Sequence, residues 1–491
     1  MTYSKTPEET LDPENWDEFR VLGHKMLDDM VDHIKNIREQ PFRRATKEES
    51  SRIRVPLTKE GEGEEETYRA FVRDVLPSMT QQKSPKFWAV VAGGGSPYGM
   101  LADLLQSGTN VGSDDPDSAA YDVNQQALEW MKELLDYPRD ASGTFVSGGS
   151  EANFTGLAVA RNAKAQVDMK KAGMQGVPRK MTLYVSDEGH HCLERSVELL
   201  GLGGDALRWV KTDDECRIDI ASLKREIEKD RSKGSHPFCV IGCAGTVNSG
   251  AFDDFNTLAD LAEKEKMWLH VDGAFGAWVK ISETHRHLAE GMERADSLAV
   301  DLHKWMYMPY GIGCTLVRHP GEHLSTFIYG HEAKYLKTMQ GYYPDGMQTY
   351  NLGLRLSNEF LSLRVYMLLR AYGKEKYRRL IQQNLDQIGY LASQIGRAPD
   401  MEVTAPVASN VVCFRYNPGG LGEEQLQKLN QSILYELWRQ HLGCVSDTTI
   451  KGRYMLRACN VNHRSRREDF DWLVAEVKKL GRQYILSIKR G

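Results

Sequence analysis

Apolar positions enter the chain in a helical rhythm. Phe19, Leu22, Met26, Met30, Ile34 and Ile37 recur every three or four residues and mark one stripe of an amphipathic helix. A second helical pattern covers 65–76. The acidic, glycine-bearing stretch 59–67 (KEGEGEEET) between them reads as a solvated linker. Two such helices cannot bury their stripes alone, so they must pack on the main domain or on another subunit. From about residue 84 to about 316 the pattern becomes an alternation. Short apolar runs at 181–185, 238–241, 268–271, 297–300 and 314–317 predict strands, and helical stretches such as 223–229 and 258–266 lie between them. That alternation argues for a mostly parallel sheet with helices on both faces. Beyond residue 350, a long helical region (360 to about 394) leads into strand-like runs at 410–416 and 453–458, which suggest a smaller α+β domain.

Composition narrows the classes of function. The 491 residues carry a net charge of −5 with both signs interspersed, without the basic footprint that nucleic-acid binding needs. No run of about 18 apolar residues predicts a membrane span, and the acidic start MTYSKTPEET does not read as a signal peptide. Eight cysteines without CxxC pairs suggest reduced thiols in a cytoplasmic protein rather than disulfides or zinc. No metal is expected from the His190–His191 pair, which lacks a third ligand at metal spacing.

Three features carry chemistry, each with a plainer reading beside it. Ser147-Gly148-Gly149-Ser150-Glu151 opens a helical pattern, so Gly149 and Ser150 can cradle a phosphate at a helix start; the alternative is a simple turn. Asp272 closes the run MWLHVD and points into the crevice at the carboxyl ends of parallel strands, unless it merely caps the next helix. Lys304, in DLHKW, follows another short strand among Trp305, Met306 and Met308, where apolar surroundings would free its amine as a nucleophile; most lysines are simply solvated. Asp272 and Lys304 are one helix plus one strand apart and should face the same crevice. A phosphate cradle, a strand-end carboxylate and a strand-end lysine together match pyridoxal 5'-phosphate (PLP), whose aldehyde takes the lysine and whose ring nitrogen takes the carboxylate. Asp301 fits less easily, because an acid beside a phosphate needs a compensating donor.

These residues sit in motifs that resemble the group II PLP-dependent amino acid decarboxylases, which include the aromatic-L-amino-acid, histidine and glutamate enzymes. The resemblance runs along nearly the whole chain, through SGGSEAN, SDEGHHCLERSVELLG, GTVNSGAFDD, WLHVDGAFGA, ADSLAVDLHKW and GRYMLRACNVNHRSRREDF. It implies fold type I, the aspartate-aminotransferase-like α/β fold. It further implies an N-terminal helical dimerisation segment (1–83), a large PLP-binding domain (84–355) and a small C-terminal domain (356–491). The family is an obligate homodimer with shared active sites, which would cover the stripe from Phe19 to Ile37. Residue by residue, the resemblance makes Lys304 the Schiff-base lysine, Asp272 the partner of the ring nitrogen and His190 the residue stacked on the ring face. Gly149 and Ser150 become phosphate binders, and Thr246, Ala274 and His303 further cofactor contacts. Arg457 is similar to an arginine that receives substrate carboxylate.

The match departs from the family in three places, one of them the family's SRRF-like run, which reads Ser357-Asn358-Glu359-Phe360 and lacks two basic residues. The proton-donating tyrosine of the family's loop falls near Tyr350, yet gap-free counting from Phe360 puts Thr349 there, and members without that tyrosine tend to make aldehydes. In PKFWAVVAGGG, Val90, Val91 and Gly93 stand where aromatic decarboxylases hold larger or hydroxyl-bearing pocket residues, leaving room for a bulky ring. No extra Arg or Lys stands there to select an acidic side chain. An L-aromatic amino acid is therefore the expected substrate, with CO2 and the amine as products. An aromatic aldehyde synthase, a decarboxylase of a non-aromatic amino acid and a non-catalytic scaffold are the alternatives.

Overall fold

Asn15 starts the first helix, Trp16–Lys35, by accepting from the N–H groups of Asp17 (3.0 Å) and Glu18 (3.3 Å). The computed structural model describes residues 9–40, 46–328 and 348–490. By its contacts the chain divides into two compact units, Met1–Ser84 and Pro85–Gly491. In the first, the predicted stripe is closed at one end only: Ile34 and Ile37 are buried, while Phe19 and Met26 are exposed. A helix at Lys47–Ile53, with the reciprocal Thr46–Glu49 capping box, was not foreshadowed by the apolar pattern, since KEESSRI has one apolar side chain. The expected linker is shorter than 59–67. Its last residues already belong to the helix Glu64–Ala70, whose three leading glutamates favour the positive helix end. That helix does not run on to residue 76; it widens into a looser turn at Phe71–Val75 and closes tightly at Leu76–Ser78.

The second unit holds two sheets. Strands β1 (Ser142–Val146), β2 (Met181–Ser186), β3 (Leu207–Val210), β4 (His236–Cys243), β5 (Trp268–Asp272), β6 (Ser297–Asp301) and β7 (Gly313–Val317) form one sheet in the order β1-β7-β6-β5-β4-β2-β3. Every pairing is parallel except those of β7, which is antiparallel to both neighbours. All residues of β5 and β6 are buried, as strands covered on both faces require. The five predicted strands are present. β1 and β3 were missed because SGTFV has few large apolar side chains and LRWV lies at the sheet edge with Arg208 and Trp209 partly open.

The smaller antiparallel sheet combines β8 (Met401–Val403), β9 (Val411–Tyr416), β10 (Ser446–Ile450) and β11 (Arg453–Cys459) in the order β10-β11-β9-β8. The long helical region, Ser362–Arg397, is broken at Gly373, whose φ of 68° only glycine adopts cheaply. Among the described residues, no helix is long and apolar enough to cross a membrane.

Candidate active site

β1, β2, β4, β5 and β6 run the same way, so their carboxyl ends share one edge of the sheet, where α/β folds gather ligand-binding residues. Each end feeds a loop: Gly149 and Ser150 after β1, Glu188 and His190 after β2, Thr246 and Asn248 after β4, Ala274 after β5 and Lys304 after β6. They meet at a cavity of about 360 Å³. Lys304, Asp272, His190, Gly149, Ser150, Thr246, Ala274, Arg457, Val90 and Val91 all line it.

Asp272 accepts from Ala274 N–H (3.1 Å), which is the plain turn-forming use of a strand-end aspartate; it also faces the cavity. Behind it on β5, His270 is fully buried between Ser297 Oγ and Asn153 Oδ1, both at 2.8 Å. Trp268 Nε1 donates to the same serine at 2.8 Å, so the Ser297 hydroxyl donates to His270 Nδ1 and the ring proton sits on Nε2. Burial pushes the His270 pKa down to about 4. His190 accepts Cys192 N–H at Nδ1 (3.1 Å), so its neutral ring carries the proton on Nε2; burial and the nearby Lys304 hold its pKa below the ordinary value despite Asp272.

Trp305, Met306 and Met308 are fully buried, and Trp305 Nε1 donates to Asn384 Oδ1 at 3.0 Å. Each such buried side chain contributes about 1.5–3 kcal/mol and anchors the loop that presents Lys304. The apolar trio therefore holds the loop rather than surrounding the amine, whose near neighbour is Asp301 Oδ2 at 3.6 Å. Asp301 also finds a compensating donor: Gly149 N–H reaches its Oδ2 at 3.0 Å.

Three expected site residues lie elsewhere. Gly93 backs the lysine loop instead of widening the substrate pocket: its N–H donates to His303 O (3.1 Å), and a Cβ there would meet Lys304 O at 2.2 Å. His303 stacks on Tyr310 behind the Gly148–Gly149 turn and does not line the cavity. Tyr350 is buried with its hydroxyl on the Gln348 side chain, and Thr349 is bonded to Asp114, so neither faces the cavity of its own chain. Residues 342–347 of the same stretch lie outside the described residues.

The pattern of residues missed Glu188, Asn248, Asn153, Phe275, Ser446 and Asp447, all on the cavity wall. Glu188 and Asn248 had a signal, lying two residues from His190 and Thr246 in the same strand-end loops. Ser446 had none; it reaches the site because β10 pairs it with Arg457. Arg457 is buried, donating from Nε to Asn248 O (3.2 Å) and from Nη1 to Ala89 O (3.0 Å) and Ser446 Oγ (3.3 Å). Its Nη2 has no partner among the described residues, nor has Glu188 Oε2. Burial raises the Glu188 pKa, with Asn248 opposing it. Cys243, buried at the end of β4, also borders the cavity, and burial pushes the Cys192 thiol up to about 12.

The site suits PLP. A Cβ on Gly149 would stand 3.1 Å from Ala274 Cβ and 3.2 Å from Asp301 Oδ2, so a side chain there would crowd the space that glycine leaves open. Gly148, before the helix Gly149–Lys164, has no side chain to cap it; Gly149 N–H goes to Asp301, and the N–H groups that follow, from Ser150 on, are left to an anion. Lysine, aspartate and helix start on one cavity are the donor set the cofactor needs.

Comparison with known proteins agrees. A family model described as the pyridoxal-dependent decarboxylase conserved domain matches residues 49–417. The chain is 32% identical over 478 residues to an aromatic-L-amino-acid decarboxylase of Bacillus atrophaeus, covering 96% of this chain and 97% of the relative. It is 26% identical to tyrosine decarboxylase 3 of Petroselinum crispum, over 93% of this chain and 90% of that one. A solved structure of Oryza sativa TDC with PLP and tryptamine superposes with a TM-score of 0.89 at 24% identity, covering 97% of this chain and all of that one. Rhodiola rosea 4-hydroxyphenylacetaldehyde synthase gives 0.85 at 20% identity, covering 96% and 99%. The expected fold type I is thereby borne out.

Proposed function

The chain belongs to the pyridoxal-dependent decarboxylase family, and from that premise we propose that the amino acid it decarboxylates is L-aromatic: tryptophan, tyrosine or a hydroxylated relative. It is a PLP-dependent carboxy-lyase. When bound, PLP supplies an aldehyde for the substrate amine and a cationic ring that accepts the electron pair freed with CO2.

The chain's own residues then divide the work. Lys304 would hold the cofactor through its aldehyde. Asp272, one oxygen engaged by Ala274, offers the other to the ring N–H and keeps that proton in place. Ser150 and the helix start beside Gly149 would receive the phosphate, Thr246 would touch the ring substituents and Ala274 would pack on the ring. His190, with its proton on Nε2, guides the substrate carboxylate and can donate at that atom. Arg457 receives the carboxylate through its open Nη2.

The observation that carries the substrate reading is the apolar wall of Ala89, Val90, Val91 and Phe275. Among the described lining residues the only lysine and arginine are Lys304 and Arg457, and both have tasks already, so no cation remains for an acidic side chain. The similarity to aromatic-L-amino-acid and tyrosine decarboxylases supports it. A CO2-release panel tests it: tryptophan or tyrosine should exceed glutamate by at least ~100-fold in kcat/KM. Comparable turnover of glutamate overturns the assignment.

A second reading, an aromatic aldehyde synthase, draws on the buried hydroxyl of Tyr350. Amine without H2O2 decides for the decarboxylase, and aldehyde with H2O2 for the synthase. The working form in this proposal is a cytoplasmic homodimer in which the segment 1–83 covers a second copy; the open stripe at Phe19 and Met26 supports it, and a monomer in sedimentation at micromolar concentration refutes it. Large and small domains meeting near residue 356 complete the picture.

A further inference from the structure

Two buried polar atoms on the wall of the active-site cavity, Arg457 Nη2 and Glu188 Oε2, have no partner among the described residues. A buried polar atom left open costs free energy that a ligand atom can recover. Asn248 links the two side chains. Its backbone oxygen accepts from Arg457 Nε at 3.2 Å, and its side-chain oxygen accepts from Thr448 Oγ1 at 2.9 Å, which leaves its amide nitrogen for the carboxyl of Glu188. Glu188 is thus held by Asn248 and keeps Oε2 without a partner among the described residues, only 8% exposed.

Tryptophan and tyrosine each bring three polar groups. The amine goes to the cofactor and the carboxylate to Arg457, which leaves a ring N–H or O–H. Among the described residues, the cavity lining likewise has one fully buried, unpartnered side-chain atom left, Glu188 Oε2. We propose that Glu188 is a specificity-determining residue that accepts a hydrogen bond from the substrate's ring N–H or O–H, so that tryptophan and tyrosine are preferred over rings lacking that hydrogen. This rests on the aromatic reading above and deepens it. A site built around such a donor rejects an analogue without it far more strongly than an apolar pocket rejects a change of size.

The experiment compares kcat/KM of the holoenzyme for tryptophan against 3-benzothienylalanine, in which sulfur replaces the ring N–H, and for tyrosine against phenylalanine. At least one pair should differ by ~10-fold or more in the natural chain. In Glu188→Leu that ratio should fall to within ~2-fold, with Glu188→Gln, which keeps an acceptor, in between, and the bound-cofactor absorbance should persist in both variants. Ratios near unity in the natural chain overturn the proposal whether or not Glu188→Leu folds. So does a Glu188→Leu enzyme that keeps the natural ratio, which would make Glu188 a structural carboxyl only. Should Glu188→Leu not fold, an unchanged ratio in Glu188→Gln together with an unchanged KM overturns it. Turnover of glutamate with none of the four aromatic compounds instead removes the parent reading, and this proposal with it.

Discussion

Behind Asp272, the side chains of Trp268, Ser297, His270 and Asn153 form a chain of hydrogen bonds, each 2.8 Å long, in which every ring nitrogen has a partner. Around Arg457 and Glu188, by contrast, two equally buried polar atoms stay open. Both regions border the same cavity, the closed one through Asn153, and both are highly buried. The difference teaches where ligand atoms belong. A closed network fixes a scaffold and gains nothing from a ligand, whereas an open one is completed by it. Changes in the closed region should therefore appear in stability, and changes in the open region in KM.

Lys304 and Asp272 stand where the two regions meet and should show the largest effects. Lys304→Ala should lower kcat by ~10⁴-fold or more and abolish the bound-cofactor absorbance; near-normal turnover would remove the basis of the site. Asp272→Asn keeps the shape but not the charge, and should cost on the order of 10²–10³-fold in kcat with the fold intact by circular dichroism.

Acid should strike the closed networks next. His270, His323 and His463 are held neutral by burial, with pKa values of about 4 against an ordinary 6.5. The unfolded chain binds more protons in that window, so their contribution is fully present above pH 6.5 and is lost as pH falls toward 4. One such histidine amounts to about 3 kcal/mol. Asp253, raised to about 6 by burial, opposes them between its unfolded value and 6, so the net follows the three histidines. The urea midpoint should drop between pH 7 and pH 5; a constant midpoint would contradict this sign.

Gly156→Ala probes the closed region sterically, since its Cβ would stand 2.6 Å from His270 Cε1. Overpacking of that kind costs about 1–3 kcal/mol, so the melting temperature should fall by a few degrees while KM holds. Arg457→Lys probes the open region. It keeps the charge but loses the forked donor, so KM should rise ~10-fold with kcat within ~3-fold. If Gly156→Ala moves KM and Arg457→Lys moves only the melting temperature, the contrast between the regions is wrong.

Much of this was readable in advance where a single residue carries its own meaning. Lys304 after a short apolar run, Asp272 closing another and glycines before a helix each state a local geometry, and the five predicted strands are there. Reading failed where neighbours decide. Gly93 was taken for pocket space, yet it exists to let two backbone segments touch. Asp301 looked unpaired until the sheet brought Gly149 N–H to it across 152 residues. Trp305, Met306 and Met308 were expected to desolvate the amine; they anchor its loop instead, because their side chains point into the core.

The order of residues by itself determined the alternation of strand and helix, the chemistry available at each strand end and the family. Those properties are set by periodicity and by residue type, which act over a few positions. Tertiary structure alone decided which polar atoms were satisfied and which were left open at Glu188 and Arg457. Hydrogen-bond completion depends on partners from β4, β10 and β11 that meet only when the two sheets are in place, and no local pattern specifies that meeting.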